Sequence, residues 1–513
     1  MQQKNSRFLQ GVRRKSLVFF IVYFLMTLFI YAQQPPELIP FRKGNKWGFS
    51  DQRKVIKIPC KYDDVQPFYR RSGLAKVSLN DKWGLVDTLG REVVAPTYDR
   101  VEFRSENVIE VRLNNKIGIA NQKGIVIPPQ YDGLSPMYGL TDGFAICKLN
   151  NKFGYVNENG EIVPPKYDKV GLFSEGFARV ELGGKHGFID KSGREIIPPQ
   201  FEEADSFTEG LARVKKKGKW GFIDPLGNEV VRIEFELVFN FKNGFARVRD
   251  RWKWGFVNKQ GEEVVLPKYE DVKDFSEQRA PVKANGKWGF IDTEGNEIVP
   301  PQYDEVSSFS GGLAIVSKNN RDGIIDSQGR EVVSPTYENI SALDGGVAII
   351  VTQDKWGMID KRGTVLVPPK YDLIGDFVED RAIVKVKGGE GFLYGFLDKT
   401  GKEIVPPKYA TVQNFSEGIA IVARKGGVGI IDKTGKEIVP PRYEGIGTFF
   451  ENRVFFLRNN KVGFLDKEGK EVIPPKYDYL PETNIKFSNG LAYVVLKGRG
   501  GYIDLQGNEY WED

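Results

Sequence analysis

At 513 residues the chain is longer than one hydrophobic core supports, so it must divide into several domains or repeat one unit many times. Hydrophobic residues make up 40% of it and aromatic residues 12%, which excludes a disordered chain, while 57 Gly and 28 Pro give the frequent turns of β structure. The formal charge of +6 is an end effect: without Lys4, Arg7, Arg13, Arg14 and Lys15 there remain 69 basic residues against 68 acidic, and a near-neutral body of mixed signs excludes a nucleic-acid footprint.

The basic segment runs into an apolar stretch over residues 17–32, LVFFIVYFLMTLFIYA. As a helix it would span about 24 Å, short of the roughly 30 Å hydrocarbon core. A charged start, an apolar centre and a small residue before a polar break predict a secretory signal over 1–32, cleaved after Ala32. The alternative is an inner-membrane anchor formed by residues 17–32. Residues 33–43 read as a short linker, and 44–513 as one array. The protein is therefore expected to be exported, to the periplasm, the cell surface or the medium.

From residue 44 onwards the chain repeats itself. A glycine preceded by a mostly apolar slot recurs at 48, 84, 118, 154, 187, 221, 255, 289, 323, 357, 395, 429, 463 and 501, at spacings of 33–38 residues. Fourteen copies at so tight a period predict a stacked array in which each unit buries a face against its neighbours. The slot before the glycine gives the pairs Trp47–Gly48, Trp83–Gly84, Trp220–Gly221, Trp254–Gly255, Trp288–Gly289 and Trp356–Gly357. Elsewhere it holds Ile117, Phe153, His186, Asp322, Tyr394, Val428, Val462 and Gly500. A slot so permissive packs; it does not do chemistry. A strand glycine present in every copy predicts close approach by another backbone or ring.

Four residues beyond the slot stands Asp or Asn in all copies, and three further on Gly in thirteen, with Lys54 the exception. Asx-x-x-Gly between apolar runs predicts a hairpin turn. Glu follows in ten copies, then a Val/Ile run that should stop at Pro-Pro, then a ring that is usually Tyr. Because Phe201 and Phe235 also fill that ring slot, the Tyr hydroxyl looks dispensable. A third strand of the Leu-Ala-Arg-Val type completes an antiparallel meander, with no helical periodicity beyond residue 32. Three strands per unit would flip alternate copies, so the stretch from Tyr303 to Phe309 must hold a return or a short fourth strand. The predicted fold is all-β, a tandem array of antiparallel meanders, elongated or superhelical, with closed β-propeller rings as the alternative.

The recurring K-W-G-F-I-D-x-x-G-x-E-I-V-P-P-x-Y-D resembles the bacterial tryptophan–glycine (WG) β-repeat family, over residues 44–513. The resemblance implies a β-repeat array, often exported, with a binding role and with no catalytic residues to carry over.

Candidate chemistry is sparse. Cys60 and Cys147 fall in different slots and read as packing residues. His186 stands alone, and Asp-x-x-Gly reads as turn chemistry in preference to calcium ligation. No nucleophile elbow, phosphate loop or dinucleotide fingerprint appears, so no catalytic, metal or cofactor site is expected and the protein is not read as an enzyme. The expected function is a binding scaffold for protein or peptide partners in the cell envelope. A carbohydrate or envelope-polymer binder is the alternative, and a hydrolase with an unrecognised site the second. Exposure of the aromatic slot would favour a glycan, and its burial a protein. The irregular places should carry partner contacts: the insertions at 387–393 and 480–486, His186, and the copy reading Arg232-Ile-Glu-Phe235 in place of Pro-Pro.

Overall fold

The computed structural model describes residues 36–105, 107–135, 143–389, 391–482 and 485–512. The expected signal or anchor lies outside the described residues. Every named element within them is a β-strand. The chain divides into two compact units, Met1–Asp99 with Lys408–Asp513, and Arg100–Pro407.

The strands form fourteen sheets among the described residues, thirteen with four strands and one with three, antiparallel throughout except for one parallel pair. In the sheet from 271 to 303 the order is Asp271–Val272, Ala280–Ala284, Lys287–Ile291, Glu297–Tyr303. The anticipated fourth strand is thus the short piece that follows the ring, two residues in most copies, as in Glu305–Val306, paired with Leu313–Lys318 at Glu305↔Ser317 and Val306↔Val316. Sheet boundaries are therefore out of phase with the sequence motif: the chain leaves one sheet at Tyr303 and, after Asp304 alone, enters the next at Glu305.

Consecutive sheets pack face to face. Trp220, Phe222, Val231 and Phe235 of one sheet meet Val238, Ala246, Val248 and Val257 of the next in a single cluster. The Trp–Gly strand is buried along nearly its whole length, as in Lys287–Ile291. A central strand covered on both faces needs continuous apolar residues, not alternation.

The Pro-Pro dipeptide does not stop its strand. Glu297–Tyr303 runs through it, and the register jumps from Phe290↔Val299 to Trp288↔Tyr303, so the strand bulges opposite Gly289. A Cβ on Gly289 would lie 2.7 Å from Pro301 N, which is the backbone approach the recurrent glycine predicts. The copy with Arg232-Ile-Glu has the same bulge, with Trp220↔Phe235 after Phe222↔Val231. The glycine, not proline, makes room for it. Proline is tolerated because this is an edge strand, where a missing N–H costs no ladder bond.

The segment 33–43, read as a linker, contributes the strand Ile39–Lys43, paired with Lys46–Ser50. Its other neighbour is the last strand of the chain, Trp511–Glu512, joined in parallel at Arg42↔Trp511 and Lys43↔Glu512. An elongated array would keep first and last sheets apart. That expectation is corrected: the two ends are hydrogen-bonded to each other, Arg42 N to Tyr510 O at 3.3 Å and Gly44 N to Glu512 O at 3.0 Å. Two open edges become one paired edge, which removes the unpaired backbone groups that a rod must leave exposed.

Candidate interaction surface

The Asx-x-x-Gly turns are structural. Asp292 Oδ1 accepts from Glu294 N at 3.0 Å and Asn296 N at 2.8 Å. The turn glycines have positive φ, as at Gly295 (84°), where a Cβ would also strike Val265 of the preceding sheet. These carboxylates are occupied by the turn, and among the described residues no three His, Cys, Asp or Glu side chains group as a metal site requires.

The aromatic slot is a packing position. Trp47, Trp220 and Trp288 are buried, Trp83, Trp254 and Trp356 half-buried, and each stands across from the ring that ends the following strand. Basic side chains cover what remains open: Arg213 lies 4.9 Å from the Trp220 ring centre and Lys273 5.0 Å from that of Trp288. Such cation–π contacts help to hold the ring in place. Where the aromatic is missing, neighbours compensate. Asp322 accepts from Ile340 N at 3.0 Å, and the Tyr493 ring lies against Gly500. His186 is opposite Phe201, 3.7 Å from the Glu181 carboxylate, and burial holds its pKa below the usual histidine value. Cys147 is buried in a core cluster. The Cys60 thiol is half-buried and reaches Phe41 O at 3.6 Å.

Three inter-sheet fastenings were not legible as such. First, the ring-slot hydroxyl is used. Tyr167 donates to Glu195 at 2.7 Å, Tyr409 to Glu437 at 2.8 Å and Tyr443 to Glu471 at 2.8 Å, which explains the recurrent Glu. Where the ring is Tyr, the hydroxyl read as dispensable is engaged, while Phe201 and Phe235 do without it. Second, the acid after the ring pairs with the lysine before the slot and caps the next hairpin: Asp168 binds Lys152 Nζ at 2.5 Å and Gly183 N at 2.7 Å. The lysine holds that carboxyl below the usual carboxylate range. Third, Glu175 accepts from Glu209 N and Gly210 N, both at 2.8 Å, and Glu209 from Asn243 N and Gly244 N at 2.8 and 3.0 Å. The signal for this relay was the recurring Phe-Ser/Thr-Glu-Gly at 173–176, 207–210 and 415–418.

Exposed apolar residues lie away from the slots. The insertion at 387–393 lengthens a hairpin, with Lys387↔Phe392 and Gly388↔Gly391 pairing beyond the usual length, and leaves Phe392 exposed. Leu480 in the second insertion is exposed as well. A cavity of about 870 Å³ is lined by Leu38, Phe68, Tyr69, Arg70 and Leu89, among others.

The most irregular feature is Trp252. It is 76% exposed at the tip of the hairpin formed by Phe245–Asp250 and Lys253–Asn258, with φ of 64°. The same tip position elsewhere holds Asn115, Asn151, Gly184, Gly218, Gly286, Asn320 and Asp354, residues that tolerate a left-handed conformation. Among the described residues Trp252 is the only aromatic with positive φ. The Arg249 guanidinium stands 4.9 Å from its ring centre and 5.6 Å from that of Trp254. Phe239 packs 5.6 Å from Trp254, and Arg247 lies 4.0 Å over Phe239. The sequence signal was a second tryptophan two residues ahead of a slot, in Arg-Trp-Lys-Trp-Gly.

The family described as "WG containing repeat" matches in thirteen consecutive segments, from 47–83 through 463–499. No match is found among curated proteins. Similar solved structures include one titled crystal structure of the eukaryotic initiation factor, 11% identical, covering 64% of this chain and 94% of that one, with a TM-score of 0.25. Another is the extracellular domain of the putative hybrid two component system BT3049 from B. thetaiotaomicron, 9% identical, covering 90% and 80%, with a TM-score of 0.20. A third is the tricorn protease, 12% identical, covering 92% and 61%, with a TM-score of 0.21.

Proposed function

This chain belongs to the family of WG containing repeats, and from that premise we propose that it is a non-catalytic binding scaffold for protein or peptide partners, exported to the cell envelope. The observation that carries the reading is the covering of the aromatic slots. No slot tryptophan is exposed, so the repeated rings hold sheets together and are not offered as a row of sugar platforms. What is offered lies on hairpin tips and insertions that differ from copy to copy, the usual place for partner specificity in repeat proteins.

The array is proposed to close on itself, a reading supported by the pairing of Ile39–Lys43 with Trp511–Glu512. Small-angle scattering tests it, since a closed array has a much smaller maximum dimension than a rod of the same number of units. Export rests on the basic segment and apolar run of residues 1–32; among the described residues no helix is long and apolar enough to cross a membrane. The N-terminal residue of the exported protein decides between cleavage after Ala32 and retention as an anchor. For the scaffold itself, the chain 33–513 is used to capture partners from an envelope extract. A protein recovered in a fixed ratio supports the reading. Recovery only of polysaccharide turns it to the glycan alternative.

A further inference from the structure

We propose that the Trp252 hairpin is the docking point of the scaffold, and that it takes an acidic peptide segment bearing an aromatic or apolar side chain. This rests on the scaffold reading and gives it a place and a partner chemistry. Three observations converge within the unit Arg100–Pro407. A large apolar ring stands in water at a position that strains its backbone, where other copies have Asn, Gly or Asp. Strain of this kind persists where it serves something other than the fold. The ring is also held in place: Arg249 stacks between Trp252 and Trp254, and Glu236 accepts from Trp252 N at 3.4 Å while lying 3.9 Å from Arg249 Nε. A ring buttressed on one side and open on the other is pre-organised to receive a partner.

Charge selects the occupant. Arg247, Arg249, Arg251 and Lys242 stand at or beside the stack, against Glu236, Asp250 and Asp274, and the Arg251 side chain is almost wholly exposed. An acidic segment complements this excess, and Trp with Arg is the pairing over-represented where protein interfaces concentrate their binding energy. A sugar chain would want several open rings in a row, whereas Trp254 is half-buried and tilted 34° to Phe239.

The test uses the full chain and a fluorescein-labelled random copolymer of Glu and Tyr, followed by fluorescence anisotropy. Trp252→Asn restores the ordinary tip residue, so it should melt no lower than the wild type and cannot be dismissed as unfolded. The wild type is expected to bind the copolymer with an affinity that falls as salt rises. Trp252→Asn should weaken binding by about tenfold or more, and Arg249→Gln should weaken it as well. Absence of binding, equal binding by Trp252→Asn, or equal binding of a neutral glucan overturns the assignment. If a partner captured by 33–513 binds Trp252→Asn as tightly as the wild type, the docking point is wrong and the scaffold stands. If 33–513 captures no protein, the scaffold reading itself fails.

Discussion

Lys54 occupies a turn position where thirteen other copies have glycine, and it takes the same left-handed conformation, with φ of 64°. A side chain there costs about 1–2 kcal/mol. Lys54→Gly is therefore expected to raise the thermal midpoint, and an unchanged or lower melt would show that the first turn is held by something else. The slot glycines make the opposite case. Gly289→Ala drives a methyl into the Val299 and Pro301 backbone, which cannot move without breaking the bulge, whereas Trp288→Leu removes ring area from a site that already accepts Ile and Val in other copies. Gly289→Ala should lower the melting temperature more than Trp288→Leu does; comparable losses would refute the close-approach argument. Both glycines were legible in the sequence because their requirement is local. What the Trp252 tip does was not, because exposure belongs to the surface and not to the spacing.

Between elements, the sheets are held by side chains that reach from one copy to the next. Tyr167 is fully buried, and its hydroxyl meets Glu195. Tyr167→Phe should cost about 1 kcal/mol, and a double-mutant cycle with Glu195→Gln should show coupling of the same size. Additive losses would mean the ring alone matters. Phe201 and Phe235 indicate that single copies survive without this bond, as a contribution of that size allows. The Pro-Pro bulge, the short return strand and the Glu175–Glu209 relay were each present as recurrent residues. The relay joins residues a whole repeat apart, so no reading confined to one unit could assign it; the bulge and the return strand close within about a dozen residues, but they show only once strand register is known.

At the scale of the molecule, the C-terminal residues matter more than their number suggests. Tyr510 is buried and donates to Asp504 at 3.0 Å, and Trp511 covers Gly501 while its strand pairs with Ile39–Lys43. Deleting 509–513 unpairs the Ile39–Lys43 edge and should lower the melting temperature by several degrees, measured by calorimetry; an unchanged melt would show that this pairing adds nothing to stability. Acid should act through the repeated carboxylates. Asp63, Asp132, Asp168, Asp304 and Asp372 are held below the usual carboxylate range, chiefly by hydrogen bonds from Lys46, Lys116, Lys152, Lys287 and Lys355. Their contribution is present above the unfolded value, about pH 4, and is lost as pH falls through the lower folded values. At the other end burial pushes the Tyr269 hydroxyl up to about 12, so its contribution is present below about pH 10 and lost as pH rises towards the folded value. A melting temperature flat from about pH 5 to 9 and falling on both sides is expected; a maximum within that window would contradict it.

The sequence by itself determined the unit: its period, its fourteen copies, its β character, the Asx turn and the glycine that another backbone approaches. These follow from dihedral and steric demands satisfied within a few residues, and the repeat states them fourteen times over. Only the tertiary structure decided that the strand passes through Pro-Pro, that the ring hydroxyl bonds the next copy, and that Trp511–Glu512 returns to pair with Ile39–Lys43. The first depends on the strand lying at a sheet edge, and the other two on partners one or many repeats away, which no single repeat contains.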